Sequence, residues 1–94
     1  MIETLKTLCA LNGVSGDEDA VRDYLRTQAE PYADSIRTDA LGNLIVFKRG
    51  RRATGSKLLL CAHMDEVGFL VRSVSSQGML MVLPVGSVRT FSRF

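Results

Sequence analysis

Residues 58–71 read LLLCAHMDEVGFLV, and this stretch carries the strongest structural and chemical signals of the chain. Leu58–Ala62 is a continuous apolar run, a pattern typical of a strand that is covered on both faces. His63, the only histidine among 94 residues, follows this run directly. Because open α/β sheets place their ligand sites at the carboxyl ends of strands, the stretch predicts a buried strand that ends at a functional histidine.

Two helices are predicted before this strand. Apolar residues recur at helical spacing over residues 2–12, and the Asn12-Gly13 pair is a stop signal. A second helix is predicted for about residues 17–30, since Ser15 and Glu18 have the spacing of a capping box at its start.

Four further segments have the two-residue period of strands. They are followed or joined by turn-forming residues, and the predicted strands are Ser35–Asp39, Leu44–Lys48, Val67–Val71 and Met79–Val85. Residues 48–57 are expected to form a polar loop. The fold class predicted from this order is α/β, with two N-terminal helices packed on a mixed sheet of about five strands.

Composition places the chain among ordinary globular proteins. Its 46% hydrophobic and 23% charged residues exclude a disordered class, and its formal net charge of +2 is too small to indicate a nucleic acid or membrane partner. No apolar run approaches the ~20 residues of a bilayer span, and the N-terminus does not have the pattern of a signal peptide. Cys9 and Cys61 show no disulfide framework, which favours a reducing compartment and a cytoplasmic location.

The spacing around His63 permits metal binding but does not establish it. Side chains two apart on a strand lie on one face, so Cys61, His63 and Asp65 are expected to point the same way. Imidazole is a common metal ligand, and a carboxylate on its second nitrogen fixes its tautomer. On spacing alone, a lone histidine is more often a structural or surface residue than a ligand. Cys61 inside an apolar strand favours packing over ligation. Glu66 could be a general base, but an acid next to a strand is more often solvated or capping.

Three ordered motifs raise the specificity of the interpretation. CAHMDEVGFLV (61–71) resembles the first metal-site motif of the tetrahedral-aminopeptidase and glutamyl-aminopeptidase family, whose members are also labelled cellulase-like. LCALNGVSGDEDAVRDYL (8–25) resembles the family's opening helix-turn-helix, and TDALGNLIVFKRG (38–50) resembles its hairpin. The three motifs have the family's order and spacing and together extend the resemblance over residues 1 to about 85.

The resemblance implies a peptide-cleaving site with two divalent ions, zinc, cobalt or manganese. It assigns His63 as a ligand of one metal and places Asp65 in the catalytic site as the carboxylate that orients this histidine. Glu66 and Gly68 belong to the motif, without a catalytic base being assigned to Glu66. The family's domain plan implies that residues 1–66 begin the catalytic domain and that residues 67–94 begin an inserted substrate-access and oligomerisation domain, ending in an atypical tail. A homo-oligomer is expected.

The family's other site residues have no counterpart in this sequence. A catalytic zinc normally takes three protein ligands, so the 94 residues are expected to bind metal weakly or not at all and not to hydrolyse peptides alone. The family's full reaction would be removal of N-terminal amino acids from peptides. The main alternative is a non-catalytic binding or co-assembly module derived from this family. A glycosidase is disfavoured because Asp65 and Glu66 are adjacent, and nucleic-acid binding through Lys48–Arg52 is disfavoured because no aromatic residues are interleaved.

Overall fold

The computed structural model describes residues 1–52 and 55–88. Two helices come first, α1 (Ile2–Ala10) and α2 (Asp19–Ala29), and a 3₁₀ turn (Glu30–Tyr32) follows α2. Helix α1 ends two residues before the predicted limit because Leu11 already has extended backbone angles, φ −85° and ψ 147°. Both predicted helices are therefore present, with shorter bounds.

The predicted capping box does not form. Glu18 occupies the position before α2 without a side-chain cap, and Ser15 donates its hydroxyl hydrogen bond to Asp65 instead. The physical reason is the turn Val14–Asp17, closed by a backbone hydrogen bond of 2.9 Å between its end residues. This turn places Ser15 ahead of the first helical turn, so α2 begins at Asp19 rather than near residue 17.

The first hairpin confirms the predicted pair of strands. Strand β1 (Ser35–Thr38) runs antiparallel to β2 (Leu44–Phe47), with Ser35 opposite Phe47. Gly42 has φ +87° in the connecting turn, a left-handed conformation that glycine adopts without a steric penalty.

The second hairpin also lies where it was predicted. Strand β3 (Gly68–Val74) pairs antiparallel with β4 (Leu80–Val85), and a register shift falls between Val71 and Ser73. Pro84, which lacks a backbone donor, is accommodated because both strands of a two-stranded sheet are edges.

Within residues 1–52 and 55–88, the structure contains neither the predicted strand Leu58–Ala62 nor the predicted mixed sheet. The run has no strand conformation, and Leu58, Leu59 and Leu60 are 83–86% exposed. A strand requires a neighbour that satisfies its backbone groups, and within residues 1–52 and 55–88 no segment pairs with this run. The described chain has four strands in two separate antiparallel hairpins. The α/β class itself is confirmed.

The core is small and lies between α2 and the segment before β3. Val21 is 6% exposed, and it is the one buried apolar residue among those described. Gly13 lies against it, and a Cβ at Gly13 would be 2.9 Å from Val21 Cγ2, so this close approach needs glycine. Neither helix of the described chain has the length and apolarity of a membrane span. Residues 53–54 of the predicted loop and 89–94 of the predicted tail lie outside the described residues.

Candidate metal centre

The segment that carries His63 is docked on the turn between the two helices. The Glu66 amide donates a 2.7 Å hydrogen bond to the Gly13 carbonyl, and Val14 and Glu66 form an isolated parallel bridge. The fit is tight, because a Cβ at Gly68 would lie 2.3 Å from Val14 Cγ1. This docking brings Asp65 next to Ser15, fifty positions away in the sequence.

His63 is held by Asp65 through one ring nitrogen. Its Nδ1 lies 2.9 Å from the Asp65 carbonyl oxygen and 3.1 Å from Asp65 Oδ1. Both neighbours are acceptors, so Nδ1 carries a proton and donates, and in the neutral form of the ring Nε2 keeps its lone pair. The His63 side chain is 85% exposed, which leaves Nε2 accessible. The arrangement is the one expected of a metal-binding imidazole with an orienting carboxylate.

The Asp65 carboxylate is held on both of its oxygens. Oδ2 accepts the hydroxyl hydrogen of Ser15, and Oδ1 faces the imidazole. The hydrogen bond from Ser15 is the largest influence that lowers the pKa of Asp65 below its ordinary value of 3.8; partial desolvation opposes it, and the hydrogen bond from His63 lowers the pKa further. Asp65 is therefore an anion at neutral pH, as an orienting partner of a metal ligand must be.

A cleft of about 180 Å³ opens beside His63 and Asp65. Its opposite wall includes Arg22 of α2 and the turn of the first hairpin. Arg22 joins these two elements, since its Nε donates a 2.7 Å hydrogen bond to the Gly42 carbonyl. The cleft is thus bounded by three segments that are themselves hydrogen-bonded or docked.

A larger and more apolar cavity, about 340 Å³, is also lined by the His63 segment. Val21, Leu25 and Leu8 contribute to it, and Met64 and His63 line both cavities. The His63 segment therefore borders open space in both cavities.

The described residues hold one candidate metal ligand and its hydrogen-bond partner, not a whole metal centre. In residues 1–52 and 55–88, no three side chains of His, Cys, Asp or Glu are grouped closely enough to hold an ion. Cys61 and Glu66 are exposed, and neither joins the contact between His63 and Asp65. The donor chemistry fits a metal at His63 Nε2, with further ligands needed from elsewhere.

Ser15 is the site residue that sequence reasoning assigned to another role. Its position before a helix favoured capping, whereas its hydroxyl binds Asp65. The available signal was its place in residues 8–25, the segment that resembles the family's opening helix-turn-helix. No local spacing joins residues 15 and 65, so the sequence pattern alone did not predict their contact.

Comparisons with known proteins agree with the motifs. A family model described as M42 glutamyl aminopeptidase matches residues 42–92, more than half of the chain. The glutamyl aminopeptidase of Lactococcus lactis is 34% identical over 86 residues, which are 92% of this chain and 24% of that protein. The chain thus spans about a quarter of the length of this relative.

Two solved structures are similar in both sequence and shape. An aminopeptidase from the archaeon Desulfurococcus kamchatkensis superposes with a TM-score of 0.82 at 33% identity, over 94% of this chain and 24% of that one. A Thermotoga maritima structure titled endoglucanase has a TM-score of 0.76 and 51% identity, over 89% of this chain and 27% of that one.

Proposed function

Because the chain belongs to the M42 glutamyl aminopeptidase family, we propose that its residues form the first-ligand region of a metal-dependent aminopeptidase site. The reaction of the complete site is removal of N-terminal amino acids from peptides. His63 is the metal ligand in this proposal, and Asp65 is the carboxylate that holds its ring.

The observation that carries the proposal is the geometry of His63. A histidine that serves only packing is buried or makes hydrogen bonds with both nitrogens, whereas this ring is 85% exposed and its Nδ1 is held by Asp65. Ordering an exposed ring in one tautomer costs conformational freedom. A bound divalent ion at Nε2 would offset that cost, which supports ligation over a surface role.

The metals proposed are zinc, cobalt or manganese, two in a complete site. When bound, such ions lower the pKa of water to near neutrality and polarise a carbonyl oxygen. The residues of this chain have a more limited role, which is to orient the imidazole. Asp65 keeps the proton on Nδ1 and raises the basicity of Nε2, and Ser15 and the 13–17 turn keep Asp65 in place.

The 94 residues alone are proposed to be inactive. One imidazole with one orienting carboxylate does not supply the three protein ligands of a catalytic zinc. We place the chain in the cytoplasm, as its exposed free thiols Cys9 and Cys61 suit a reducing compartment. The division into residues 1–66 and 67–94 remains part of this proposal.

A chimera tests the catalytic assignment directly. Residues 1–88 would replace the matching segment of the Desulfurococcus aminopeptidase, and leucyl- and glutamyl-anilide hydrolysis would be measured with added zinc, cobalt or manganese. We expect metal-dependent turnover, and a loss of at least about 100-fold in His63→Ala, since second-sphere changes alone cost 10–100-fold.

Arg72→Ala serves as the control, because Arg72 lies in the exposed strand β3 away from the cleft. A His63→Ala chimera that folds and keeps the turnover of the Arg72→Ala chimera would contradict the assignment. Carboxymethylcellulose hydrolysis on the same samples tests endoglucanase activity, after which the Thermotoga structure is named. We expect none, since Asp65 is already bound to Ser15 and His63 and is not free as one of the two carboxylates that glycoside cleavage requires.

A non-catalytic co-assembly module is the second candidate. The observation that favours it is the exposure of large apolar side chains on both faces of the second hairpin, Phe69 and Leu70 being 55% and 56% exposed. Surfaces of this kind mark contacts with other protein. A binding module would show partner or self-association that is indifferent to His63→Ala.

A further inference from the structure

We propose that Ser15 is a positioning residue for His63: its hydroxyl holds the Asp65 carboxylate in the rotamer that keeps the imidazole proton on Nδ1. The inference rests on the proposed function, in which Nε2 is the metal-binding atom. It adds a residue from the turn Val14–Asp17 to a site whose other proposed residues lie in the 61–71 motif.

The two oxygens of the Asp65 carboxylate have different partners. Oδ2 accepts from Ser15, and Oδ1 lies 3.1 Å from His63 Nδ1. Asp65 is 39% exposed and has no other side-chain partner among the described residues, so water would otherwise compete for it and allow the carboxylate to rotate. With one oxygen fixed by Ser15, the other is directed at the ring.

The backbone places Ser15 beside Asp65 without help from the Ser15 side chain. The parallel bridge between Val14 and Glu66, and the 2.7 Å hydrogen bond from the Glu66 amide to the Gly13 carbonyl, bring the two segments together. Removal of the Ser15 hydroxyl should therefore leave the docking intact. The hydroxyl's effect on His63 can be measured separately from folding.

A second acceptor limits how far the loss of the Ser15 hydroxyl can change the tautomer of His63. His63 Nδ1 also lies 2.9 Å from the Asp65 carbonyl oxygen, which would remain an acceptor after the carboxylate turned away. Loss of Ser15 thus weakens the preference for a proton on Nδ1 without abolishing it. One hydrogen bond in proteins corresponds to roughly a fivefold change in an equilibrium, and this is the expected change in the tautomer ratio.

The experiment is ¹⁵N NMR of the imidazole, which has one assignable signal set because the chain has a single histidine. Once the shifts no longer change with rising pH, the two nitrogen shifts of the ring report which nitrogen carries the proton. We expect Nδ1–H to dominate in the unaltered chain. In Ser15→Ala the Nδ1–H to Nε2–H ratio should fall about fivefold, and Ser15→Thr, which restores a hydroxyl, should recover it.

Ser73→Ala is the matched control, a serine in strand β3 outside the cleft, and the amide signals of Gly13 and Glu66 report whether the docking persists. A ratio in Ser15→Ala equal to that in Ser73→Ala, with those amides unchanged, would overturn the inference. If the amides do move, Ser15→Cys, which keeps the side-chain size with a weaker donor, decides between the hydroxyl and the fold: a ratio equal to that of the unaltered chain overturns the inference, and a lowered ratio supports it.

Added Zn²⁺ separates this inference from the proposed function. Zn²⁺ that moves the Nε2 signal of the unaltered chain supports His63 as a ligand, whatever Ser15→Ala does to the tautomer. Full turnover of the His63→Ala chimera, alongside a tautomer that depends on Ser15, would contradict the ligand role while the positioning contact stands.

Discussion

At the scale of single residues, short side chains organise this molecule by binding backbone and neighbouring polar groups. Asp65 joins two segments that are distant in the sequence, whereas Asp39 joins residues of a single turn. Asp39 Oδ1 accepts from the amides of Leu41 and Asn43, at 3.0 and 2.9 Å, and Oδ2 accepts from Asn43 Nδ2 at 2.9 Å. This carboxylate adds to two backbone hydrogen bonds that close the turn, from the Asp39 amide to the Asn43 carbonyl and from the Gly42 amide to the Asp39 carbonyl, both 3.1 Å.

The Asp39 contacts give the first hairpin a dependence on pH. The hydrogen bond from the Asn43 side chain, followed by that from its amide, lowers the pKa of Asp39 below 3.8. A pKa that is lower in the folded state stabilises the fold above the unfolded value and loses that contribution as the pH falls through the folded value. We expect ¹³C NMR titration of the carboxyl group to give a pKa below 3.8 in the unaltered chain and a higher one in Asn43→Ala.

The control for this titration is Leu41→Ala. The Leu41 side chain is 90% exposed, and its backbone amide stays in place after the substitution. The Asp39 pKa should remain low in that variant. An Asn43→Ala chain with an unchanged Asp39 pKa would show that the side-chain hydrogen bond is not the main cause.

At the scale of elements, the sequence pattern correctly predicted the helices and hairpins, which form through local interactions. Both hairpins and both helices follow from period and turn residues, and the structure confirms them within one to three residues. The prediction of a strand at 58–62 was wrong. An apolar run indicates a preference for burial, whereas strand formation also needs a partner backbone. Likewise the contact between His63 and Asp65 was expected from their two-residue spacing, and their proposed roles came from the family resemblance. The contact of Ser15 could not be predicted, since it depends on docking across fifty positions.

That docking can be tested at Gly68. A Cβ there would lie 2.3 Å from Val14 Cγ1, so Gly68→Ala overpacks the junction between the 13–17 turn and β3. Overpacking costs about 1–3 kcal/mol, and we expect the low end, since Val14 is only half-buried and can turn aside. The Glu66 amide, which donates to Gly13, should then exchange its hydrogen about fivefold faster.

Gly50→Ala is the comparison for this measurement. Among the residues that the structure describes, a Cβ at Gly50 would meet only the Arg52 carbonyl oxygen, at an ordinary 3.6 Å, and Gly50 does not have a positive φ. Hydrogen exchange at Glu66 should be unchanged in that variant. Equal protection in Gly68→Ala would mean that the junction is looser than the geometry requires.

At the scale of the whole molecule, the described chain is elongated and exposes much of its apolar surface. Its extents are 64 × 28 × 26 Å, and one apolar residue of the described part, Val21, is buried. Leu58, Leu59 and Leu60 and both faces of the second hairpin are exposed. Monomeric proteins rarely leave contiguous apolar surface of this kind in water, so the chain is expected to associate with protein.

We expect self-association in sedimentation velocity, with a sedimentation coefficient that rises with concentration. Leu70 and Val71 are neighbours on β3 and face opposite sides of the hairpin. Leu70→Lys and Val71→Lys test one face each, and at least one should shift the chain towards the monomer. Ser73→Lys adds the same charge at a polar position and should not. A chain that is monomeric at every concentration would contradict this expectation.

The central claim is that His63 is a metal ligand whose partner ligands are not grouped with it in residues 1–52 and 55–88. Calorimetric titration with zinc, cobalt and manganese, on the 94-residue chain and on His63→Ala, tests it most directly. We predict weak binding that disappears in His63→Ala, together with no hydrolysis of leucyl- or glutamyl-anilide by the same samples. Tight, His63-dependent binding with turnover would contradict the claim, because the chain would then assemble a complete site, and binding that is equal in His63→Ala would remove His63 from the metal centre.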